Sequence, residues 1–457
     1  MRYSLHELTN TANLSSNCQI RYLIFNKTNS MKESKYNIYL EYKDVFVLYN
    51  TLYESILMLS DVIYAKLLEI GIEKCFSINE ELYNKVVDGR FLIDDDVDEL
   101  EEIKRIVKQK DFSDEEYHLI INPTLDCNFN CWYCFEQKKR GSFMSPKIKD
   151  SCSLLIRNIV NYNAGLKKFT LSFFGGEPLL YYNRISVPLM KSLYAEIEDK
   201  DIETNIHFTT NGYLLTNSVV SSMSKFKVKS LQITFDGNRE IHNKTRFLKH
   251  NTESYDVIIN NIKRILCQTD ISIILRINYT HQNVDGFMSL LEDISKFKNL
   301  NHIILSPNQV WQDKKDGDNF DDKINDIYNR AEELGIATKN AASIGRLKHP
   351  CYADKKNQAC INYNGFVYKC NARDFKEENA LGKLNAQGFI IWNEKEKIWM
   401  DSKLKNQPCK DCVLFPICAG GCRRLTFNHI GETYCMYNFN EETKKQVILG
   451  MLLREKV

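Results

Sequence analysis

Cysteine is both abundant and clustered in this chain. The 457 residues include 15 cysteines, and eight of these lie between Cys351 and Cys435. Three more fall close together at Cys127, Cys131 and Cys134. The opening residues contain no apolar segment of the signal-peptide type, so we expect a cytoplasmic protein. Because disulfides are rare in that reducing compartment, clustered thiols there indicate metal binding or catalysis.

Composition excludes several classes of protein. The chain carries 61 Lys and Arg against 59 Asp and Glu, a net charge of +2, so charge alone offers no reason to bind nucleic acid or an anionic membrane. No apolar run approaches the ~20 residues of a membrane span. Apolar residues at 43% and charged residues at 26% are typical of a folded globular protein.

The first part of the chain, residues 1–112, contains no metal-type motif. Residues 36–49 alternate between apolar and polar side chains and predict one or two strands. Helical patterns over residues 60–70, 80–87 and 94–110 complete a small α+β module.

Residues 113–310 alternate between apolar runs and amphipathic stretches, which predicts a parallel sheet with helical crossovers. The predicted strands cover residues 118–123, 169–174, 203–209, 230–235, 271–278 and 302–306. Six such units are fewer than the eight of a closed barrel, so the predicted fold is α/β, a partial (β/α)6 barrel of the TIM type. A helical linker over 311–349 and a cysteine-rich domain over 350–457 follow. Functional groups in such sheets gather at the carboxyl ends of the strands.

The three-cysteine motif follows the first of these strands with C-x3-C-x2-C spacing. A [4Fe–4S] cluster normally takes four cysteine ligands, so three would leave one iron open. A structural zinc site or buried thiols remain as alternatives at this point. Polar groups or glycines end the following strands, at Gly175, Gly176, Glu177, Asn211 and Thr234, with Arg246 further on.

These motifs resemble the radical S-adenosylmethionine enzymes, whose cysteine loop carries an aromatic residue where this chain has Tyr133. The resemblance implies that Cys127, Cys131 and Cys134 hold a [4Fe–4S] cluster whose open iron binds S-adenosylmethionine. It also implies reductive cleavage of that cofactor to a 5′-deoxyadenosyl radical. By the same resemblance, contacts to the cofactor come from Tyr133, Gly175, Gly176, Glu177, Asn211, Thr234 and Arg246. No catalytic residue beyond these is identified.

The C-terminal cysteines follow a second pattern. Cys409, Cys412, Cys418 and Cys422 have C-x2-C-x5-C-x3-C spacing, and Cys435 follows. A hairpin at Asn364-Gly365 would bring two more cysteines, Cys351 and Cys370, near each other. Seven thiols exceed the needs of one metal, so at least two sites are expected, and two zinc sites are one reading.

The same pattern is similar to the SPASM extension of peptide-modifying radical enzymes. That resemblance implies two auxiliary [4Fe–4S] clusters. One would use Cys351, Cys370 and Cys422, and the other Cys409, Cys412, Cys418 and Cys435.

The role of Cys360 stays open. A two-residue turn at Asn364-Gly365 pairs Cys360 with Lys369 and directs its thiol away from the face of Cys370. A bulged turn would reverse that orientation and make Cys360 a fourth ligand. Without it, an open iron could bind a substrate thiolate and favour sulfur-to-carbon crosslinking.

The resemblance implies a peptide maturase that abstracts hydrogen from a ribosomally made precursor peptide and forms a thioether or carbon–carbon crosslink, served by a low-potential electron donor of the flavodoxin or ferredoxin type. Residues 1–112 loosely resemble leader-peptide-recognition regions, with the edge strand expected within 36–49; an ordinary packing domain is the alternative. There are two other candidate functions. One is formylglycine formation of the anaerobic sulfatase-maturase type. The other is a non-catalytic role as an iron–sulfur or zinc-stapled electron-transfer or adaptor protein. The precursor, the bond formed, the reductant and the oligomeric state are not determined by the sequence.

Overall fold

A computed structural model describes residues 30–136, 138–248, 253–315, 318–339, 347–372 and 375–454. None of the helices in these ranges combines the length and apolar character needed to cross a membrane. The chain divides into two compact units, Met1–Glu99 and Leu100–Val457. The boundary lies ahead of the predicted position at residue 112, because the helix Glu99–Asp111 falls almost entirely in the second unit. The predicted divisions at 310 and 349 stay predictions.

The first unit consists of two small antiparallel sheets and two helices. Its elements are β1 (Met31–Glu33), β2 (Asn37–Tyr42), β3 (Val45–Asn50), β4 (Ser55–Leu59), α1 (Asp61–Ile70), α2 (Glu80–Asp88) and β5 (Leu92–Asp94). One sheet has the order β2-β3-β4, and β1 pairs with β5 in the other. The alternating segment 36–49 therefore forms two strands, which pair antiparallel. Leu48, Leu67 and Phe91 belong to the core of this unit.

The second unit is built on one sheet of eleven strands. Its strands are β6 (Glu116–Ile121), β7 (Lys168–Phe173), β8 (Glu203–Thr210), β9 (Ser230–Phe235), β10 (Ser272–Tyr279), β11 (Ile303–Gln309), β12 (Ala337–Thr338), β13 (Gln358–Ile361), β14 (Phe366–Tyr368), β15 (Gly382–Leu384) and β16 (Ile390–Trp392). The order is β12-β11-β10-β9-β8-β7-β6-β13-β14-β15-β16. Strands β6 to β11 are all parallel neighbours. The six predicted βα units and the partial-barrel class are confirmed.

Helices precede, connect and follow these strands. They are α3 (Glu99–Asp111), α4 (Pro146–Tyr162), α5 (Val187–Ile197), α6 (Asn217–Lys225), α7 (Arg239–Thr245), α8 (Tyr255–Gln268), α9 (Phe287–Ser295), α10 (Asp321–Glu333), α11 (Glu394–Asp401), α12 (Gln407–Lys410), α13 (Phe415–Cys418), α14 (Arg423–Asn428) and α15 (Glu441–Arg454). Helix α4 begins where the Ser145 side chain accepts from the N–H of Ile148 and Pro146 occupies the first turn.

The cysteine-rich segment continues the same sheet. Strand β13 pairs parallel with β6, and β14, β15 and β16 follow in antiparallel order. The C-terminal module is thus joined to the barrel by backbone hydrogen bonds along the whole of β13.

The two faces of the sheet differ in polarity because successive strand residues point to opposite sides. Leu119, Leu171 and Phe208 lie in the apolar core. Residues of the opposite register form what we call the inner face, with His118, Ser172, His207, Ser230, Thr234 and Arg276 among them. Across it, His118 Nε2 bonds Ser172 Oγ at 2.8 Å and His207 Nδ1 bonds Ser230 Oγ at 2.6 Å.

Four buried charges connect the end of α3 to the cysteine-rich segment. Lys403 Nζ lies 2.9 Å from Asp111 Oδ2 and 3.3 Å from Asp354 Oδ2. Arg423 donates to Asp111 at 3.1 Å and to Asp354 at 2.9 Å. All four side chains are at most 4% exposed. Arg423 follows Cys422 directly, so this cluster holds that cysteine in place.

We predict that Arg423→Met lowers the free energy of unfolding by about 3–5 kcal/mol, because it leaves two buried carboxylates with one cation. Urea denaturation measures the change. The control is Lys405→Met, which removes a solvent-exposed pair with Asp401 and should cost less than about 1 kcal/mol. Equal losses in the two variants would contradict the role of the buried cluster.

Candidate active site

The three-cysteine loop begins directly after β6 and is fastened to the polypeptide around it. The N–H of Met144 donates to Pro123 O at 2.8 Å, and Thr124 Oγ1 donates to the carbonyl of Ser142. Asp126 Oδ2 accepts from the N–H of Gly141 at 2.8 Å. The loop therefore has a backbone path set by protein contacts.

The three predicted thiols of this loop lie close enough to influence one another. Burial, Glu177 and the neighbouring Cys131 and Cys134 together raise the pKa of Cys127 to about 12. Burial likewise raises the pKa of Cys131 and of Cys134. Thiols with such values stay protonated until a cation replaces the proton, so a bound metal would be the source of thiolate character here.

Within the part of the chain that the structure describes, no three Cys, His, Asp or Glu side chains are grouped as ligands of a single metal ion. A [4Fe–4S] cluster distributes its thiolates over separate iron atoms, so its ligands need not converge on one point.

The Gly175-Gly176 turn packs against the backbone of the cysteine loop. Gly175 has φ +105°, and a Cβ there would lie 2.4 Å from Thr124 O. A Cβ on Gly176 would lie 2.1 Å from Asp126 O. The N–H groups of Gly176 and Glu177 donate to those same two carbonyls at 3.0 and 2.9 Å. The sequence suggested that these glycines make room for a ligand; the structure shows that they make room for the loop itself.

Glu177 ties the end of β7 to the end of β8. Its carboxylate accepts from the N–H of Leu179 at 3.0 Å, from Thr210 Oγ1 at 2.8 Å and from the N–H of Asn211 at 2.7 Å. Burial raises the pKa of Glu177 to about 6, and these donors limit the rise. Asn211 in turn donates to Asn128 Oδ1 at 2.7 Å and lies 3.9 Å from Cys127 Sγ.

Tyr133 reaches from the cysteine loop to the end of β9. Its hydroxyl donates to Asp236 Oδ2 at 2.7 Å and accepts from Arg246 NH1 at 2.7 Å. Burial raises the pKa of Asp236 to about 6, against the lowering effect of Arg246 and Tyr133. Thr234, on the same strand, is buried beside Arg276 in the sheet register. The structure thus brings Tyr133 and Arg246 together and adds Asp236 to the site. In the sequence, Asp236 could have been identified as part of the Asp-Gly pair that ends this strand.

Several buried polar atoms around the loop lack a hydrogen-bond partner among the described residues. They are Asn122 Oδ1, Asn128 Nδ2, Arg246 Nε and both carboxylate oxygens of Glu136. Unsatisfied buried polar groups are costly, and a bound polar ligand would satisfy them. Together with the three thiols, they fit an iron–sulfur cluster with a polar cofactor. Sequence reasoning missed Glu136, whose pKa burial raises to about 8.

The second set of predicted ligands surrounds a cavity. A volume of about 410 Å³ is lined by Cys409, Cys412, Cys418 and Cys435 together with apolar and aromatic side chains. The Asn406 side-chain amide donates to Cys409 Sγ at 3.0 Å. These four thiols are brought together with space between them, which fits a four-iron cluster better than a single ion.

The other auxiliary set, Cys351, Cys370 and Cys422, lies near Tyr352. Burial raises the pKa of Cys370, and the nearby Cys422 adds to the rise. The pKa of Tyr352 is raised by burial and by Cys370 and Cys351. Tyr352 also stacks edge-on against His118 at the amino-terminal part of β6. This set therefore lies toward the end of the sheet opposite the three-cysteine loop.

Of the two turns considered for this hairpin, the structure has the one that reverses the register of Cys360. Cys360 pairs with Tyr368 and Ile361 with Val367, which leaves three residues, 363–365, in the loop. Gly365 has φ +82°, the left-handed conformation that closes such a three-residue loop. The register shift places Cys360 on the same face as Cys370, and Asn122 Nδ2 lies 3.6 Å from its sulfur.

Comparison with known proteins agrees with this geometry. Residues 121–294 match the radical SAM superfamily. The chain is 23% identical over 412 residues to the radical SAM cyclopropyl synthase TigE of Paramaledivibacter caminithermalis, covering 82% of this chain and 83% of TigE. It is 24% identical over 352 residues to a cysteine-type anaerobic sulfatase-maturating enzyme of Clostridium novyi, covering 67% and 87%.

Two solved structures share the fold. Native anSMEcpe with bound AdoMet and the Cp18Cys peptide has a TM-score of 0.56 at 18% identity, covering 74% of this chain and 98% of that one. Streptococcus suis SuiB bound to its precursor peptide SuiA has a TM-score of 0.52 at 18% identity, covering 88% and 97%. With its three-cysteine loop and partial barrel, the chain is an enzyme of the radical SAM superfamily.

Proposed function

We propose that this enzyme acts in the cytoplasm on a ribosomally made precursor peptide and installs a thioether or carbon–carbon crosslink. One observation carries the proposal: the inner face, which combines polar side chains such as His118 and His207 with the buried Ile120, runs from the three-cysteine loop at one end to the set around Cys370 at the other. Six residues of β6 span about 20 Å at about 3.3 Å per residue, so an extended peptide laid along this face would approach both ends.

The cofactors are assigned to the predicted residues. Cys127, Cys131 and Cys134 would hold the [4Fe–4S] cluster that binds S-adenosylmethionine, and the cofactor would contact Tyr133, Gly175, Gly176, Glu177, Asn211, Thr234 and Arg246. When bound, these groups supply a 5′-deoxyadenosyl radical for hydrogen abstraction, and an auxiliary cluster supplies an acceptor for the electron that crosslinking releases. The chain's own part is to position the peptide and exclude water. A low-potential flavodoxin or ferredoxin is the proposed reductant.

The relatives favour one further candidate. Sulfatase-maturating enzymes are similar in sequence and in fold, so formylglycine formation on a Cys or Ser side chain is the second candidate function. The fold match to SuiB, solved with its precursor peptide SuiA, covers 88% of the chain and supports a precursor peptide as the substrate. Membership of the radical SAM superfamily argues against the non-catalytic alternative.

The first unit is the proposed site of leader-peptide capture, and the structure refines the edge involved. Strand β3 lies in the middle of its sheet, so β2 and β4 form the edges of that sheet within the residues that the structure describes. Strand β4 exposes Ile56 and Met58, at 55% and 53%, while Leu57 and Leu59 pack toward the core. An edge strand with exposed apolar side chains can accept an extended peptide as an additional strand. We assign the leader to β4.

Cys360 is proposed as the fourth ligand of the first auxiliary cluster. The three-residue loop turns its thiol to the face of Cys370, and both thiols are buried. The charge of Cys370 also raises the pKa of Cys360, after burial as the main cause, which indicates that the two sulfur atoms are near each other. On this assignment the first auxiliary cluster has four protein ligands, and a substrate thiolate would not need to bind it.

We expect the anaerobically reconstituted enzyme to release 5′-deoxyadenosine when dithionite and S-adenosylmethionine are added. Cys131→Ala should abolish release, because the cluster needs all three thiolates. Cys267→Ala, a change at an exposed thiol outside the motifs, should release the wild-type amount. Product is measured by chromatography, and a peptide encoded beside this chain should lose the mass of two hydrogens. Release by Cys131→Ala, or no release by the wild type, would refute the function.

We expect Cys360→Ala to lose up to about four iron atoms per chain and to alter the electron paramagnetic resonance spectrum of the reduced auxiliary clusters. Cys152→Ala is the matched control, since Cys152 is equally buried but lies in the apolar core under α4. If both variants keep the iron content and spectra of the wild type, Cys360 is a core thiol.

We expect Ile56→Asp to weaken binding of the precursor peptide about tenfold, because the loss of a buried apolar contact of 1–2 kcal/mol corresponds to that factor. Fluorescence titration with the labelled peptide measures the change. Tyr42→Asp, at an exposed aromatic on the opposite edge strand β2, should leave binding unchanged. A larger effect of Tyr42→Asp would assign the leader to β2 instead.

A further inference from the structure

A second cavity opens at the end of the inner face far from the three-cysteine loop. Its volume is about 660 Å³, and it lies at the amino-terminal parts of β6, β7 and β8. The polar lining includes His118, Lys168, Asn205, His207 and Lys355. None of these residues takes part in the proposed S-adenosylmethionine site. Pro350 and Tyr352, which flank the predicted cluster ligand Cys351, also line the cavity, so it lies beside the proposed first auxiliary site.

The lining of this cavity carries more positive than negative charge. Lys168 and Lys355 line it with one carboxylate, Glu116, which lies 2.5 Å from the ammonium of Lys355. The ammonium of Lys168 pairs with Glu203 at 3.7 Å, outside the lining, and also contributes to lowering the pKa of Glu116. The lining itself therefore contains two ammonium groups and one carboxylate.

Burial and nearby charged groups lower the pKa of both histidines in this cavity. Burial, His207 and Lys355 together lower the pKa of His118 to about 3, against the raising effect of Glu116. Burial also lowers the pKa of His207, with a contribution from Lys168. Both rings are neutral at physiological pH, so they act as hydrogen-bonding groups and add no charge. A cation with neutral N–H donors around it is the lining that a carboxylate prefers.

The position of the cavity relates it to the reaction. His118 precedes Asn122, the first residue beyond β6, by four positions, which is about 13 Å of extended strand at about 3.3 Å per residue. An extended peptide covers the same distance in about four residues. A group anchored in the cavity would thus fix which residue of a peptide reaches the carboxyl end of the sheet.

We propose that this cavity binds a carboxylate of the precursor peptide, either its C-terminus or an Asp or Glu side chain, and so selects the residue about four positions away for modification. The inference rests on the proposed peptide substrate and adds the recognition element. Lys168 is the principal anchor, and His118, His207 and Asn205 complete the site.

Binding can be tested without turnover. The chain has nine histidines, so the holoenzyme labelled at histidine Cε1 gives few carbon resonances. The probes are sodium propionate as a carboxylate and propionamide as its neutral isostere. Propionate should shift the resonances of His118 and His207, assigned by His118→Asn and His207→Asn, whereas propionamide should not. Equal shifts with the two probes would overturn the proposal, and so would tighter binding of inorganic phosphate, which would assign a phosphate ligand.

Charge reversal provides a matched pair of variants. Lys168→Glu should weaken propionate binding at least tenfold, since a charged hydrogen bond contributes about that factor. Lys167→Glu changes the adjacent, exposed lysine, which does not line the cavity, and should bind like the wild type. Circular dichroism checks that both variants fold. If they do, wild-type binding of propionate by Lys168→Glu would overturn the assignment.

The peptide itself distinguishes the two sources of carboxylate. The peptide encoded beside this chain is compared with its C-terminal amide and with versions in which Asp and Glu are replaced by Asn and Gln. The peptide version that lacks the anchoring carboxylate should require at least tenfold more peptide for half-maximal modification. In a second peptide, one residue inserted before the anchoring carboxylate should move the modification by one position. Unchanged modification in all versions would overturn the proposal. Release of 5′-deoxyadenosine without peptide separates this failure from failure of the proposed function.

Discussion

Parallel pairing of β6 on both of its sides is the interaction on which the rest of the second unit depends. One neighbour, β7, begins the barrel, and the other, β13, begins the cysteine-rich module. Since β6 also leads directly into the three-cysteine loop, its backbone hydrogen bonds fix both sets of thiols relative to one sheet. The inner face is the surface that results, with the proposed cofactor site at one end and the proposed carboxylate site at the other.

Close backbone packing and buried charge then set the position of each end. At the carboxyl end, Gly175 and Gly176 let two carbonyls of the cysteine loop approach to distances that a Cβ would forbid, and Glu177 accepts three donors there. At the other end, Arg423 and Lys403 neutralise two buried carboxylates next to the auxiliary cysteines. The buried Glu177 and the buried charges around Arg423 each cost desolvation energy, which is recovered only when every partner is present. They therefore favour a single arrangement.

The proposed division of labour follows from this layout. A radical enzyme must hold its substrate where the nearest C–H bond is the intended one, and a long inner face bounded by two cysteine sets offers many contacts for an extended peptide. The exposed edge β4 of the first unit supplies a separate place for capture. Affinity and site selection would thus reside in different parts of the chain, as expected when leader and modified segment are recognised independently.

Local pattern determined much of this protein from sequence alone. The six strands of the barrel lie within two or three residues of their predicted bounds, because alternation and helical periodicity are set by neighbouring residues. The SPASM resemblance implied that Cys409, Cys412, Cys418 and Cys435 share a site, and these four residues line one cavity. Tertiary structure alone decided the register of Cys360, since one extra loop residue reverses a strand's faces. It also decided the partners of Glu177, the unpartnered carboxylate of Glu136, the edge strand β4 and the cavity at His118, because each depends on groups brought together from distant parts of the chain.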